Sequence, residues 1–291
     1  MTPTVLLTND DGIDAVGLRA LSDALSREYD VTVVAPATNQ SGVGGARSWW
    51  DATVEYEETD AGYAVEGTPA DCVAVADVAL DLDPDVVVSG CNHGPNIGAH
   101  ILGQSGTVGA AMEASFLGTP AVAVSLYDRG NLPVPPTLGT DAFALAADVV
   151  SEILGDATRS GGEVGLPFGA DVLNVNVPAA DDDAAAQPTY RLTEPARGFD
   201  VIEFRPGETE PGESGFDERR GEMGMELRDR FWREFLRGDV PDDPGSDRRA
   251  AVEGEVSISP LSSSRSVAAD RAGDVVAIRG DGTATPERQS E

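Results

Sequence analysis

Two adjacent carboxylates near the start of the chain have the chemistry expected of ligands for a divalent cation. Asp10 and Asp11 follow the apolar run Val5-Leu6-Leu7, within the segment Thr8-Asn9-Asp10-Asp11-Gly12. If that run is a strand of an open α/β sheet, both carboxylates lie beyond its carboxyl end, where ligands of such sheets bind. Carboxylate oxygens suit Mg²⁺ or Mn²⁺ better than zinc. The same five residues also favour an ordinary turn, so this motif alone leaves both interpretations open.

Three further segments carry small and polar residues at positions where they could join the same site. They are Asn39-Gln40-Ser41-Gly42, Ser89-Gly90-Cys91-Asn92-His93-Gly94-Pro95-Asn96 and Ser105-Gly106-Thr107. The first two follow predicted strands and the third precedes a predicted helix, so a parallel sheet can bring all three to one edge with the two carboxylates. Two carboxylates, a hydroxyl and an amide oxygen form a partial shell for an octahedral cation that keeps water in its open positions.

The segment Ser105-Gly106-Thr107 has the composition of a phosphate-binding helix start. Backbone N–H groups and the positive end of the helix dipole attract a phosphate dianion at such a position, and Gly106 permits close approach. The alternative is an ordinary helix N-cap. A cap of that kind is predicted at Gly67-Thr68-Pro69, with Thr68 as the N-cap and Pro69 at the first helical position.

Strand-like and helix-like patterns alternate through the first part of the chain. The β-rich runs are Val5 to Thr8, Val31 to Ala35, Val86 to Ser89, Ala121 to Ser125 and Val172 to Val177. Segments with helical apolar spacing, such as that of Leu18, Leu21 and Leu25, separate them. This alternation predicts an α/β fold with a doubly wound, mostly parallel, Rossmann-like sheet. The stretch 53–66 instead predicts a β-hairpin that projects from the core, with Thr59-Asp60-Ala61-Gly62 at its centre.

The composition changes after about residue 180, where acidic, Pro/Gly-rich and Arg-rich sequence begins. We therefore expect a catalytic core over 1–180, a C-terminal extension for subunit assembly over 181–265 and a terminal segment over 266–291. The extension lacks the apolar periodicity of an independent core. Phe231 to Leu236 is either an aromatic anchor for another subunit or an amphipathic helix on its own core. The last residues, Gly280 to Glu291, have a disordered composition.

The charge balance excludes several classes of partner. The 291 residues include 51 acidic and 20 basic residues, for a net charge of -31, and every basic residue is arginine. Binding to nucleic-acid polymers or anionic membranes requires a basic surface, which this composition does not supply. An acidic excess without lysine is typical of proteins from cytoplasm of high salt, and it points to a halophilic archaeon.

The two cysteines and the N-terminal sequence indicate a reducing compartment. Cys72 and Cys91 lie within apolar segments and are too few for a disulfide framework, so we expect buried, reduced thiols. No stretch at the start combines a basic region with an apolar one, and no apolar run is long enough to cross a bilayer. The expected location is the cytoplasm.

Taken in order, five motifs resemble those of the SurE survival-protein nucleotidases. They are Thr8-Asn9-Asp10-Asp11-Gly12, Val34-Ala35-Pro36 with Asn39 and Ser41-Gly42, Gly67 to Cys72, Ser89 to Asn96, and Ser105 to Val108. Weaker similarity continues through Asn174-Val175-Asn176-Val177-Pro178 and returns at Val252 to Leu261. The resemblance therefore covers most of the chain.

The resemblance implies a metal-dependent phosphatase that releases phosphate from nucleoside 5′-monophosphates and often from 3′-monophosphates, in some members also from polyphosphate. The family's ligands for one divalent cation fall on Asp10, Asp11, Ser41 and Asn92. Its phosphate-binding residues fall on Asn96, Ser105, Gly106 and Thr107. It also implies a homodimer or homotetramer whose C-terminal segments exchange or interlock.

Other functions remain open at this stage. An aspartyl-phosphate-forming phosphatase of the haloacid-dehalogenase type would use Asp10 as its nucleophile, but it requires a second Asp two residues on, where this chain has Gly12. A non-catalytic nucleotide-binding module would use the same sheet without turnover. A dinucleotide fold is disfavoured because no Gly-x-Gly-x-x-Gly follows the first strand. His93 is a weak candidate for the general acid and His100 a weaker one.

Overall fold

The structure is a computed structural model that describes residues 2–130, 138–158, 165–179, 188–198, 235, 237–238 and 240–263, with the backbone of four short strands between 201 and 286. The strands in chain order are β1 (Thr4–Thr8), β2 (Asp30–Pro36), β3 (Tyr56–Thr59), β4 (Gly62–Val65), β5 (Val86–His93), β6 (Ala121–Tyr127), β7 (Val172–Pro178), β8 (Tyr190–Leu192), β9 (Val201–Phe204), β10 (Glu226–Asp229), β11 (Val256–Leu261), β12 (Val276–Ile278) and β13 (Ala284–Pro286). The α-helices are α1 (Val16–Leu25), α2 (Pro69–Ala74), α3 (Ala99–Leu102), α4 (Gly106–Phe116), α5 (Ala144–Thr158) and α6 (Asp247–Glu253).

Within the described residues, nine strands form one mixed sheet in the order β3-β4-β2-β1-β5-β6-β7-β11-β8. The strands β2, β1, β5, β6 and β7 are parallel, as the alternating pattern predicts. The chain passes from β1 to β2 on one side, whereas β5 lies on the other side of β1. The carboxyl ends of β1 and β5 therefore flank the topological switch point, where open α/β sheets bind ligands.

Helices cover both faces of this sheet, and the side chains of β1 illustrate why. Successive strand residues point to opposite faces, so Leu6 enters one hydrophobic core while Val5 and Leu7 enter the other. The helices α1 and α5 pack over the core that contains Leu7, and α2 and α4 pack over the core that contains Leu6. Strands buried on both faces read as apolar runs, which is why the sequence patterns located them.

The predicted hairpin is present, but the prediction that it projects from the core is wrong. Its strands β3 and β4 are antiparallel and joined at Asp60 and Ala61. The inner strand β4 pairs in parallel with β2, so the hairpin extends the main sheet. Ala64 and Val65 are buried, and their burial stabilises this edge position.

Part of the predicted C-terminal extension belongs to the main sheet. The strand β11 pairs antiparallel with β7, and β8 pairs in parallel with β11. The helix α6 begins just after Ser246, whose hydroxyl accepts a hydrogen bond from the Arg249 N–H. The strand pairs β9–β10 and β12–β13 form two small antiparallel sheets.

Two predictions fall mostly outside the described residues. Of Phe231 to Leu236, only Phe235 is described, and its buried ring packs against Tyr127. Of Gly280 to Glu291, only the backbone of β13 is described. The cysteines are as expected, since Cys72 and Cys91 are both buried free thiols.

Candidate active site

Asp10 is a buried carboxylate at the carboxyl end of β1. It is 3% exposed, and its Oδ1 atom accepts a 2.5 Å hydrogen bond from the Thr107 hydroxyl in the first turn of α4. A Cβ atom added at Gly106 would lie 2.7 Å from the Asp10 Cβ atom. Only glycine therefore lets the start of α4 approach β1 this closely.

The pKa of Asp10 is raised above the ordinary value for aspartate. Burial is the main cause, because it removes water from the charged form, and the neighbouring charge of Asp11 acts in the same direction. Hydrogen bonds from the hydroxyl and the backbone of Thr107 oppose these effects. A carboxylate in this situation gains more than an exposed one from a bound cation.

Asp11 joins three of the predicted loops. It is partly buried, and its Oδ2 atom accepts a 3.0 Å hydrogen bond from the His93 N–H. Its Oδ1 atom accepts a 3.3 Å hydrogen bond from the Asn39 side chain, while the Asn39 Oδ1 accepts a 2.9 Å hydrogen bond from the Ser41 N–H. The Gln40 N–H donates to the Asp10 carbonyl at 2.7 Å. The convergence expected from the sequence is therefore present for these loops.

Asn92 lies in an irregular part of β5, next to His93, whose N–H contacts Asp11. The register between β5 and β6 shifts between Ser89 and Asn92, and β5 continues to His93, four residues beyond the predicted end. The Asn92 amide nitrogen donates a 2.6 Å hydrogen bond to the Gly94 carbonyl. Since that bond uses the nitrogen, the side-chain oxygen is the atom suited to a cation.

The donor set fits a hard cation. Within the part of the chain that the structure describes, no cluster contains three or more His, Cys, Asp or Glu side chains placed to hold a metal. The predicted set differs from such clusters, because Asp10 and Asp11 are its only acidic members and Ser41 and Asn92 supply neutral oxygens. The buried carboxylate of Asp10, adjacent to the second carboxylate of Asp11, is the observation that supports a cation here. Oxygen-only sets with few carboxylates suit Mg²⁺, which retains several waters.

The predicted helix start at Ser105 is confirmed. Ser105 is the N-cap of α4, and its Oγ atom accepts a 3.1 Å hydrogen bond from the Val108 N–H. Gly106 and Thr107 form the first turn, whose N–H groups have no acceptor within the helix. Thr107 directs its hydroxyl to Asp10, so it links the helix start to the carboxylate pair.

Asn96 lies in a buried polar network with residues of β6 and β7. Its Nδ2 atom donates to the Ser125 hydroxyl at 2.9 Å, which uses one of two N–H bonds. Its backbone N–H donates to the Asn176 Oδ1 atom at 2.8 Å. Its carbonyl accepts hydrogen bonds from the side chains of Asn174 and Asn176 at 2.9 and 3.0 Å. Both the backbone and the side chain of Asn96 are therefore fixed.

A capping box on α2 anchors the loop that carries Ser41. Thr68 is the N-cap, its side chain accepts from the Asp71 N–H, and Pro69 is at the first helical position, as predicted. Asp71 also accepts hydrogen bonds from the N–H and the hydroxyl of Ser48, at 2.8 and 3.0 Å. This loop is also held to the residue before the N-cap of α4, since the Gly44 N–H donates to the Gln104 carbonyl.

The two histidines occupy different environments. The ring of His93 packs edge-to-face against Phe143, with the centroids 6.1 Å apart. Its backbone, rather than its ring, contacts Asp11. His100 is exposed, and its ring nitrogen is 2.5 Å from the Gln104 amide. A role for either as general acid stays a prediction.

Comparison with known proteins identifies the family. The model of the family described as "Survival protein SurE" matches residues 5–198, which is about two thirds of the chain. The chain belongs to the SurE family. Its relatives include the 5′-nucleotidase SurE of Natronomonas pharaonis, which is 46% identical over 88% of this chain and 91% of the relative. The 5′-nucleotidase SurE of Halobacterium salinarum is 44% identical over 91% of this chain and 93% of the relative.

A solved SurE structure supports the fold. The crystal structure of the SurE protein from Aquifex aeolicus superposes with a TM-score of 0.68 and is 31% identical in sequence, over 91% of this chain and 95% of that one. The α/β, mostly parallel architecture is therefore that of the SurE family. Among the helices that the structure describes, none has the length and apolarity needed to span a membrane.

The sequence did not predict several contacts that shape this SurE site. Asn39 contacts Asp11, Thr107 contacts Asp10, and Asn176 contacts Asn96. A signal for Asn176 was present, because Asn174 and Asn176 alternate with valines in a strand that is buried on both faces. Buried amides at every second position require polar partners on one face.

Proposed function

We propose that the chain is a 5′-nucleotidase that hydrolyses nucleoside 5′-monophosphates, and also 3′-monophosphates, to a nucleoside and phosphate with one divalent cation, Mg²⁺ or Mn²⁺. The contact of Asp10 with α4 and of Asp11 with the end of β5 carries this proposal, because it joins a carboxylate pair to a helix start at the switch point. The relatives named 5′-nucleotidase SurE support the choice of substrate.

Asp10, Asp11, Ser41 and Asn92 would hold the cation. When bound there, a divalent cation polarises a phosphoryl oxygen and lowers the pKa of a bound water. The chain contributes by keeping the oxygens in place before the substrate arrives. Thr107 orients Asp10, and the His93 N–H orients Asp11, so little reorganisation is needed on binding.

The start of α4 and Asn96 would bind the phosphate. The N–H of Gly106 has no acceptor within the helix, and the Ser105 hydroxyl retains its own hydrogen after accepting from Val108. Thr107 completes this helix start and connects it to Asp10. Asn96 adds the second N–H bond of its amide. These donors and the helix dipole supply local positive potential in a chain of net charge -31.

The proposal is tested by phosphate release from a panel of nucleoside 5′- and 3′-monophosphates and polyphosphate, with Mg²⁺, Mn²⁺ or a chelator, at molar KCl. We expect turnover of 5′-monophosphates that the chelator abolishes. Asp11→Asn removes one anionic ligand and should lower kcat/KM by about 100-fold or more, with weaker Mn²⁺ binding and a retained fold.

Asp14→Asn is the matched control, because Asp14 is exposed and the charge change is the same. Its activity should equal that of the wild type. Nucleotide binding without turnover under every condition would instead support a binding module. Trapping of a phosphoenzyme by acid would support the aspartyl-phosphate mechanism.

A further inference from the structure

The segment Asn96–Gly98, which contains a residue assigned above to the phosphate, is held from two sides by buried side chains. On one side, β7 contributes Asn176, whose Oδ1 accepts from the Asn96 N–H at 2.8 Å. On the other side, α6 contributes Asp247, whose Oδ2 accepts from the Gly98 N–H at 2.7 Å. The two backbone N–H groups at the ends of the segment are therefore both bound to side chains from later parts of the chain.

Asp247 has no solvent exposure and connects three elements. Its Oδ1 accepts hydrogen bonds from the N–H groups of Ala196, at 2.9 Å, and of Arg248, at 2.8 Å. With the bond from Gly98, the carboxylate binds α6, the chain after β8 and the segment Asn96–Gly98 together. Burial raises the pKa of Asp247, and the three N–H donors oppose that effect.

Asn176 is also fully buried, and it makes a paired contact. Its Oδ1 accepts from the Asn96 N–H, and its Nδ2 donates to the Asn96 carbonyl at 3.0 Å. The side-chain amide thus binds the backbone of Asn96 as a neighbouring strand would. The Asn96 side chain takes no part in this paired contact, and its amide donates to the Ser125 hydroxyl instead.

We propose that Asp247 and Asn176 are positioning residues that fix the segment Asn96–Gly98, so that the Asn96 amide is aligned with the substrate's phosphate. This inference rests on the proposed function. Among the described residues, the hydrogen bonds of these two side chains go to backbone groups of 96, 98, 196 and 248 and not to the proposed cation ligands. Their loss should therefore weaken phosphate binding and leave the cation site intact. A donor displaced by about 1 Å contributes much less to catalysis or binding.

The substitution Asp247→Asn should remove the hydrogen bond from the Gly98 N–H and retain those from Ala196 and Arg248. If its oxygen keeps the two donors Ala196 and Arg248, its NH₂ group faces the Gly98 N–H, and two donors cannot bond to each other. We expect KM for a nucleoside 5′-monophosphate and the inhibition constant of inorganic phosphate to rise about tenfold, with a much smaller change in kcat. Mn²⁺ affinity measured by calorimetry should be unchanged.

Hydrogen exchange provides a readout that does not depend on turnover. Peptides that cover 95–99 should exchange about tenfold faster in Asp247→Asn than in the wild type, because the Gly98 N–H loses its acceptor. Asn176→Ser releases the same segment from the side of β7 and should produce the same changes. If Asp247→Asn does not fold, Asn176→Ser serves as the test variant.

The matched control is Asp171→Asn. Asp171 also links β7 to β11, since its Oδ2 accepts from the Ser263 N–H at 2.9 Å and from the Ser262 hydroxyl at 2.9 Å. Asp171 precedes β7, at the end of that strand opposite to the site, and the five-residue separation from Asn176 corresponds to about 17 Å at the usual rise per residue. Asp171→Asn should leave KM, phosphate inhibition and exchange of 95–99 as in the wild type.

Two results would overturn the proposal. One is wild-type KM, phosphate inhibition and exchange in both Asp247→Asn and Asn176→Ser. The other is an equal change in Asp171→Asn, which would indicate a general loss of stability. A wild-type chain without nucleotidase activity would refute the proposed function alone, because exchange of 95–99 would still report on the positioning.

Discussion

At the scale of single residues, the burial of Asp10 opposes the ionised form that its proposed role as a cation ligand requires. Burial between β1 and α4 raises the pKa of Asp10, whereas a carboxylate that binds a cation must be ionised. The hydroxyl of Thr107 partly resolves this conflict, because it donates to the charged form. Thr107 therefore favours the ionised form of Asp10, the form that could bind a cation.

Thr107→Val should weaken cation binding and lower kcat/KM by about 10- to 100-fold. Valine has nearly the same shape but no hydroxyl, so Asp10 loses a charge-assisted hydrogen bond worth about 1.5–3 kcal/mol. Mn²⁺ titration by calorimetry and steady-state kinetics would measure both effects. Thr107→Ser keeps the hydroxyl and should remain within a few-fold of the wild type. Equal behaviour of the two variants would refute this role.

The carboxylate pair could be predicted from the sequence, but its contact with Thr107 could not. Adjacent carboxylates after an apolar run can be found by inspection, and Asp10 and Asp11 were found in that way. The contact between Asp10 and Thr107 spans 97 positions and depends on how closely α4 approaches β1. Packing of that kind has no local signature, so Thr107 was assigned to phosphate alone.

At the scale of elements, the start of α4 lies this close to β1 because Gly106 lacks a side chain. From the sequence alone, Gly106 is expected to leave space for the phosphate. The structure uses that room for Asp10, whose Cβ would be 2.7 Å from a Cβ at 106, with Pro69 Cγ at 3.1 Å. Neither atom is the flexible end of a long side chain, so β1 or α4 would have to shift.

Gly106→Ala should therefore reduce both cation and phosphate affinity, by about tenfold or more each, and should destabilise the fold. Thermal unfolding and calorimetry with Mn²⁺ and then phosphate would measure the three quantities. Gly155→Ala is the control, because Gly155 lies within α5 and an added Cβ would meet nothing within 4 Å. That substitution should stabilise the protein by about 0.5–1 kcal/mol. A phosphate defect with normal cation affinity in Gly106→Ala would contradict the contact with Asp10.

Element types were easier to predict from this sequence than their places in the sheet. Apolar runs identified β1, β2, β5, β6 and β7, because each is buried on both faces. The hairpin was located correctly, but its pairing with β2 depends on long-range contacts that periodicity does not encode. The strand β11 lies in the predicted extension, and its place between β7 and β8 could not be inferred from the sequence.

At the scale of the whole molecule, the net charge of -31 is the dominant electrostatic feature. At 0.01 M ionic strength, like charges repel over about 30 Å, whereas at 1 M the range is about 3 Å. Compaction brings the acidic side chains together, so low salt should destabilise the folded chain and any assembly that it forms.

The melting temperature should therefore rise steadily between about 0.1 M and 3 M KCl, as followed by circular dichroism. Sedimentation under the same conditions would test whether a homodimer or homotetramer forms and whether it needs salt. A non-ionic osmolyte at matched osmolality serves as the control, since it does not screen charge. A melting temperature and sedimentation coefficient that are the same in dilute buffer would contradict the charge argument.

The place of β11 in the sheet also sets an order of events during protein synthesis. The strand β7 ends at Pro178, but its partner β11 begins only at Val256. A nascent chain that has emerged through β7 therefore presents a row of unpaired N–H and C=O groups, which can template pairing with another chain. Asp247, which holds the Gly98 N–H, emerges just before β11. The strand β11 and Asp247, the proposed positioning residue, thus leave the ribosome together, so β7 gains its partner at about the time when the segment Asn96–Gly98 gains its contact with α6.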